Sequence, residues 1–261
     1  LKRFASKNGH IHLDKITRQS VVNYRAERLA SGWCPRTCNL AVTVIRNLMN
    51  FAVDTGAVAA LPFDHIPSLK HVPKRKRLYP WADIETLCTK AVEITRNGQK
   101  FSDYVKLMCF CGARRDETLR LQWGDVDWDR RQLIVGSDGL SKNHLSRAVD
   151  FSPKLKAHLR DMQGRRAESV EWLFVSPRTE DQRVRTFKQT LWIARDVVGP
   201  SDFAFHHCRV FFASQCVMAG IDFRTIAGWL GHQDGGVLLS KVYARLNDQH
   251  RRDMAAKLEI G

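Results

Sequence analysis

At 261 residues the chain is long enough for one large domain or two smaller ones with cores of their own. Its 44% hydrophobic content suits a globular protein, apolar runs such as Leu40–Ile45 fall far short of a membrane span, and no charged start followed by an apolar core marks a secretion signal. The net charge of +15 is uneven, with 14 Lys and Arg against 4 Asp and Glu in residues 1–80 and 28 against 23 thereafter, which favours a polyanionic partner, nucleic acid before an acidic membrane surface.

In chain order, residues 17–56 read as two helices. Ile16, Val21, Val22 and Leu29 set an apolar stripe behind a Thr17 cap, and Gly32 and Pro35 break it. Leu40, Val44, Leu48, Phe51 and Ala52 set a second stripe ending near Gly56. Arg36 and Arg46 on this second helix are expected to meet phosphates. Pro62, Pro67, Pro73 and Pro80 exclude a long helix, so 62–80 reads as a stiff linker. Its Lys74, Arg75, Lys76 and Arg77 are placed to lie along a nucleic-acid backbone.

Beyond the linker, 81–97 and 101–112 read as helices. Leu133–Val135 and Ala148–Phe151 read as short strands around a polar turn at 136–143. Residues 154–166, 183–198, 206–219, 222–230, 236–243 and 246–258 read as helical. The expected class is mainly α with a small antiparallel β-sheet.

The chain has seven cysteines but no CxxC pair, so reduced thiols are expected. Cys34, Cys38, His10 and His12 can be written down as a zinc site, but cysteine more often packs as a small hydrophobe, and no metal is expected. Phosphate-cradling GxxxxGK[ST] and GxGxxG loops, HExxH and GxSxG are all absent. Chemistry therefore falls to Arg, Lys, His and Tyr.

Four segments hold those types at informative spacings. Cys111-Gly112-Ala113-Arg114-Arg115-Asp116-Glu117 follows an apolar helix and sets Arg114 and Glu117 three residues apart, able to pair. His206-His207-Cys208-Arg209 opens a helix, where backbone N–H groups also favour an anion. Leu230-Gly231-His232 follows, and Tyr243 stands in Lys241-Val242-Tyr243-Ala244-Arg245.

As an ordered set these segments resemble the tyrosine recombinase (phage integrase) family: an Arg in a G-x-R-x-x-E box, a Lys in a β-turn, H-x-x-R, L-G-H, then Tyr. The resemblance covers nearly the whole chain. It implies a helical core-binding domain (1–61, N-terminally truncated), the basic linker (62–80) and a mixed α/β catalytic domain (81–261). It also implies a site-specific DNA recombinase, an integrase of a phage or other mobile element. In that reading Arg114 and Arg209 grip the non-bridging oxygens of a phosphodiester through their planar forks, with Glu117 orienting Arg114 from behind. Tyr243 is the nucleophile, giving a 3′-phosphotyrosine and a free 5′ hydroxyl. His206 is base or phosphate donor, and His232 donates to the phosphate. Lys142, the only Lys between 107 and 153, protonates the leaving 5′ oxygen.

No cofactor is implied, because the phosphodiester's bond energy is kept in the protein–DNA link. The resemblance further implies double-stranded DNA as partner, a homotetramer on two DNA sites held by a terminal helix (246–258), and a cytoplasmic, nucleoid-associated protein. The sequence departs from the family at Val210, often His, and at Cys111, commonly Thr. The eleven residues from His232 to Tyr243 exceed the usual spacing. Two alternatives remain: a DNA-binding accessory protein without strand exchange, and a related cleaving-joining enzyme of the type IB topoisomerase or telomere-resolvase kind.

Overall fold

A computed structural model describes residues 4, 12–72, 77–140, 145–167, 170–179, 182–199, 202–232 and 255. The chain divides into two compact units, Leu1–Lys76 and Arg77–Gly261. Lys74, Arg75, Lys76, Lys142, Tyr243 and the expected helices at 236–243 and 246–258 lie outside the described residues.

The first unit is built on α1 (Arg18–Ala30) and α2 (Pro35–Asp54). Thr17 caps α1, its hydroxyl accepting the Ser20 N–H at 3.2 Å, and Gly32 turns the chain at φ +87°. Pro35 opens α2, where its missing N–H costs nothing. The face of α2 that enters the core is Cys38, Val42, Ile45, Met49 and Ala52. This corrects the stripe read from the sequence in part: Ala52 is buried and Val44 and Leu48 are half-buried, but Leu40 and Phe51 are more than 60% exposed. The two stripes share Ala52 and flank each other on the helix surface at about 100° per residue, so periodicity alone does not fix the centre of the buried face. On α1, likewise, Val21 and Tyr24 are buried while Leu29 is exposed.

The segment expected to be a linker begins as part of this unit. Phe63 and Ile66 are buried with the helices. The Asn39 side chain also brackets Leu69, donating to its carbonyl and accepting from its N–H, both at 2.9 Å. Prolines hold 62–69 extended, and these contacts satisfy the backbone that an extended strand leaves open.

In the second unit α3 (Trp81–Ile94) and α4 (Gly98–Cys111) form a hairpin, and a short α5 (Arg115–Leu119) follows. Next come β1 (Val126–Asp127), β2 (Gln132–Val135) and β3 (Arg147–Asp150). They form an antiparallel sheet in the order β1-β2-β3, with Leu133 opposite Val149 and Val135 opposite Arg147. The remaining helices are α6 (Pro153–Gly164), α7 (Lys188–Val198), α8 (Phe205–Met218) and α9 (Phe223–Leu230). Buried Phe101, Tyr104, Val105 and Met108 make α4 the centre of the core, lying against α3, α6 and α8. The mainly helical class with one small sheet is what the structure shows. No helix among the described residues is long and apolar enough to cross a membrane.

Candidate active site

Two glycine-ended helices prepare the site. α4 stops at Gly112, whose φ of +66° is left-handed. A Cβ there would stand 2.3 Å from Cδ1 of Phe212, so both conformation and space require glycine. The turn delivers Arg114 to the head of α5. Its backbone N–H donates to Glu117 Oε2 at 2.9 Å and its Nη1 to Glu117 Oε1 at 2.7 Å. α9 stops at Gly231 in the same way, φ +66°, with the Gly231 N–H donating to the Gly228 carbonyl and the His232 N–H to that of Ala227.

The last carbonyls of a helix lack partners inside it and carry the negative end of its dipole. In α9 three successive carbonyls are met by three guanidiniums. Arg147 Nε donates to Trp229 O at 2.6 Å, Arg209 Nη2 to Leu230 O at 2.5 Å, and Arg114 Nη2 to Gly231 O at 3.3 Å. Arg209 also donates from Nη1 to Gly112 O at 2.8 Å, so one buried arginine ties both glycine turns together.

Glu117 is only 3% exposed and takes charge from two sides, Arg114 at 2.7 Å and Arg147 Nη2 at 2.6 Å. Burial pushes its carboxyl up, but the hydrogen bonds and charge of Arg147 and then Arg114 outweigh that, and its pKa falls to about 2.

Arg114, His206 and Arg209 line one cleft of about 440 Å3. Of the paired histidines, His206 is exposed to this cleft. His207 turns inward, its Nδ1 accepting the Ala204 N–H at 2.9 Å and its ring packing on Tyr79 and Phe203. His232 is half-buried and directly follows the Gly231 carbonyl that Arg114 holds. Three tyrosines are core residues: Tyr24 is 6% exposed, Tyr79 1% and Tyr104 0%. Burial, then the hydrogen bond to Asp202, pushes the Tyr79 phenol up to about 12, unsuited to attack at neutral pH.

Of the residues expected to touch nucleic acid, Arg36 is exposed and Arg46 half-buried on α2 of the first unit. Arg77 lies over the Tyr79 ring, 4.9 Å from its centroid, and 3.7 Å from Asp202. The His, Cys, Asp and Glu side chains close enough to share a metal, among the described residues, are Asp103, His158 and Asp161. Both aspartates are held by Arg165 at 2.6–2.9 Å, and none of the three lines the cleft. Cys34 is exposed at the head of α2 and Cys38 is buried in the same helix.

Residues 82–250 match the Phage integrase family. The chain belongs to that family. It is a tyrosine-type site-specific recombinase. Similar curated proteins include tyrosine recombinase XerC of Erythrobacter litoralis, 24% identical over 84% of this chain and 72% of its own length. Tyrosine recombinase XerA of Thermococcus kodakarensis is 24% identical over 94% and 83%. Among solved structures, the Tn1549 transposon integrase in complex with a circular intermediate DNA superposes with a TM-score of 0.69 at 15% identity, over 94% of this chain and 86% of that one. A lambda integrase dimer bound to a COC′ core site gives 0.71 at 17%, over 96% and 72%.

The structure of the recombinase adds residues that motif reading passed over. Arg115, Lys188, Trp192 and Arg195 also line the cleft. Lys188, Trp192 and Arg195 stand four and three residues apart on α7, a spacing that the sequence displays but that has meaning only once α7 is seen to line the same cleft as His206 and Arg209. Arg147 precedes the strand expected over Ala148–Phe151 and opens β3 in the structure, and only the fold brings it to Glu117.

Proposed function

We propose that this recombinase cleaves and rejoins double-stranded DNA through a covalent bond between Tyr243 and a 3′ phosphate. The observation that supports it most is the convergence of Arg114, Arg209 and His206 on one cleft, with both guanidiniums anchored before any substrate arrives. A phosphodiester in transfer gathers charge on its non-bridging oxygens, and anchored donors stabilise that charge without reorganising. The Tyr243 oxygen forms the new bond to phosphorus, and the bond to the 5′ oxygen breaks. That oxygen takes a proton from Lys142, His206 accepts the Tyr243 phenol proton as base, and His232 donates to the phosphate. One phosphodiester replaces another, so rejoining needs no ATP. Two duplexes exchanged by a homotetramer, in the service of a mobile element, complete the reading. The positive surplus and the DNA-bound integrases of the same fold support it.

The decisive comparison is the intact chain against Tyr243→Phe, each incubated with sheared genomic DNA of the source organism. The parent should yield protein–DNA adducts that survive detergent and proteolysis to a peptide stub, and sequencing them maps the cleaved site. The variant should retain DNA and yield none. Adducts at the parent level from the variant would remove Tyr243 from the role.

A further inference from the structure

Arg147 opens β3 opposite Val135 and is almost wholly buried, its side chain 9% exposed. It is not among the residues lining the cleft, yet both of its anchored nitrogens contact the cleft's supports. Nη2 lies 2.6 Å from Glu117 Oε2, the oxygen that also accepts the Arg114 N–H, and Nε lies 2.6 Å from Trp229 O. Gly231 sits directly against it, since a Cβ there would be 3.1 Å from Arg147 Cδ and Nη1. A second tie reinforces the first: Trp229 Nε1 donates to Asp150 Oδ2 at 2.9 Å, and Asp150 also accepts from Gln132 at 3.0 Å. β3 therefore holds the last turn of α9 by a backbone carbonyl at one end of the strand and by an indole at the other.

We propose that Arg147 is a positioning residue of the recombination centre, setting Arg114 through Glu117 and Arg209 through the end of α9 at the separation a phosphodiester requires. The inference rests on the reading of the cleft given above. Two physical effects act together. The α9 terminus supplies one acceptor to each cleft arginine, so a shift of that turn displaces both guanidiniums. Arg147 also neutralises half of Glu117. Without it the whole carboxylate faces Arg114, draws that guanidinium inward and lowers the positive potential offered to phosphate. A displacement of about 1 Å in a reacting group is enough to cost on the order of 100-fold in rate.

The test uses the full chain and a nicked duplex carrying the site mapped from the parent's covalent adducts. Arg147→Met should slow adduct formation about ten-fold or more while DNA affinity stays within about two-fold, the signature of an interaction expressed only in the transition state. Combined with Glu117→Gln, the loss should not multiply, because the two residues act as one unit. Unchanged rate overturns the proposal, as does a parallel fall of affinity and rate, or a full product of the two single losses. Melting curves confirm that each variant is folded at the assay temperature. If Arg147→Met is not, Arg147→Lys carries the same comparison, since its single ammonium keeps the charge but cannot reach both acceptors. A parent that forms no adduct would defeat the proposed function itself, a result distinct from any of these.

Discussion

Glu117 shows how a single residue can serve the site without touching substrate. Its carboxyl is buried with two guanidiniums, and its pKa falls to about 2 from the ordinary 4.5. A carboxyl whose folded pKa is depressed stabilises the fold above its unfolded pKa, and the benefit disappears as pH drops through the folded value. The shift corresponds to roughly 3 kcal/mol, present at neutral pH and lost between about pH 4.5 and 2. Glu117→Gln removes the titrating group and leaves Arg147 facing a neutral amide. We expect the parent's unfolding free energy, from denaturant titrations at stepped pH, to fall across that window. The variant should start roughly 3 kcal/mol or more lower at pH 7 and show a shallower fall. Parallel curves for the two proteins would mean that Glu117 is not the group responsible.

At the scale of elements, the site depends on how helices end. Gly112 and Gly231 share a left-handed φ of +66°, and the carbonyls around them are where Arg209 and Arg114 attach. Gly112→Ala has two costs, a left-handed alanine and a Cβ 2.3 Å from Phe212. Together they should destabilise the protein by about 2–4 kcal/mol. Gly199→Ala is the control, since φ is +88° there but nothing stands within 4 Å of the added Cβ, leaving only a backbone cost of about 1–2 kcal/mol. Equal losses in chemical denaturation would show that the Phe212 contact yields freely.

The same elements mark what sequence can convey. Helix starts and stops were legible because capping and left-handed glycine are local: Thr17, Gly32 and Gly112 act within a turn of themselves. The grouping of Arg114, His206 and Arg209 was legible only as an ordered set, since each motif alone has an ordinary structural meaning. The burial face of α2 was legible only in part: Ala52 was read correctly, but Leu40 and Phe51 also sit at helical spacing and only the packing partner turns Cys38, Val42, Ile45 and Met49 inward instead. The packing of Phe63 and Ile66, read as linker for their prolines, was not legible, because prolines fix an extended backbone without saying what it lies against. Arg147 escaped for the most general reason: its partners are 30 and 82 residues away in sequence, and no periodicity encodes such a contact.

Over the whole molecule the charge is the dominant feature, +15 in total, and it bears on affinity rather than on chemistry. Each phosphate neutralised releases condensed counterions, so the logarithm of the DNA association constant falls with that of salt by about 0.9 per contact. The run Lys74, Arg75, Lys76 and Arg77 straddles the boundary between the two units. Arg77 already has Asp202 at 3.7 Å and the Tyr79 ring beneath it, so part of its charge is engaged within the protein. We propose the first three for the DNA-backbone contacts. Replacing Lys74, Arg75 and Lys76 by Ala should lower the salt slope by about 2–3 and weaken binding alike on mapped and unrelated duplexes. The rate of adduct formation at saturating DNA should stay unchanged, because the three are proposed to hold the DNA backbone and not to act on the phosphodiester being cleaved. Arg77→Ala alone should shift the slope by less than any one of them. Kd values by fluorescence anisotropy across a salt series, on both duplexes, give the slopes. An unchanged slope for the triple variant would assign the charge of Lys74, Arg75 and Lys76 to solvent rather than to DNA.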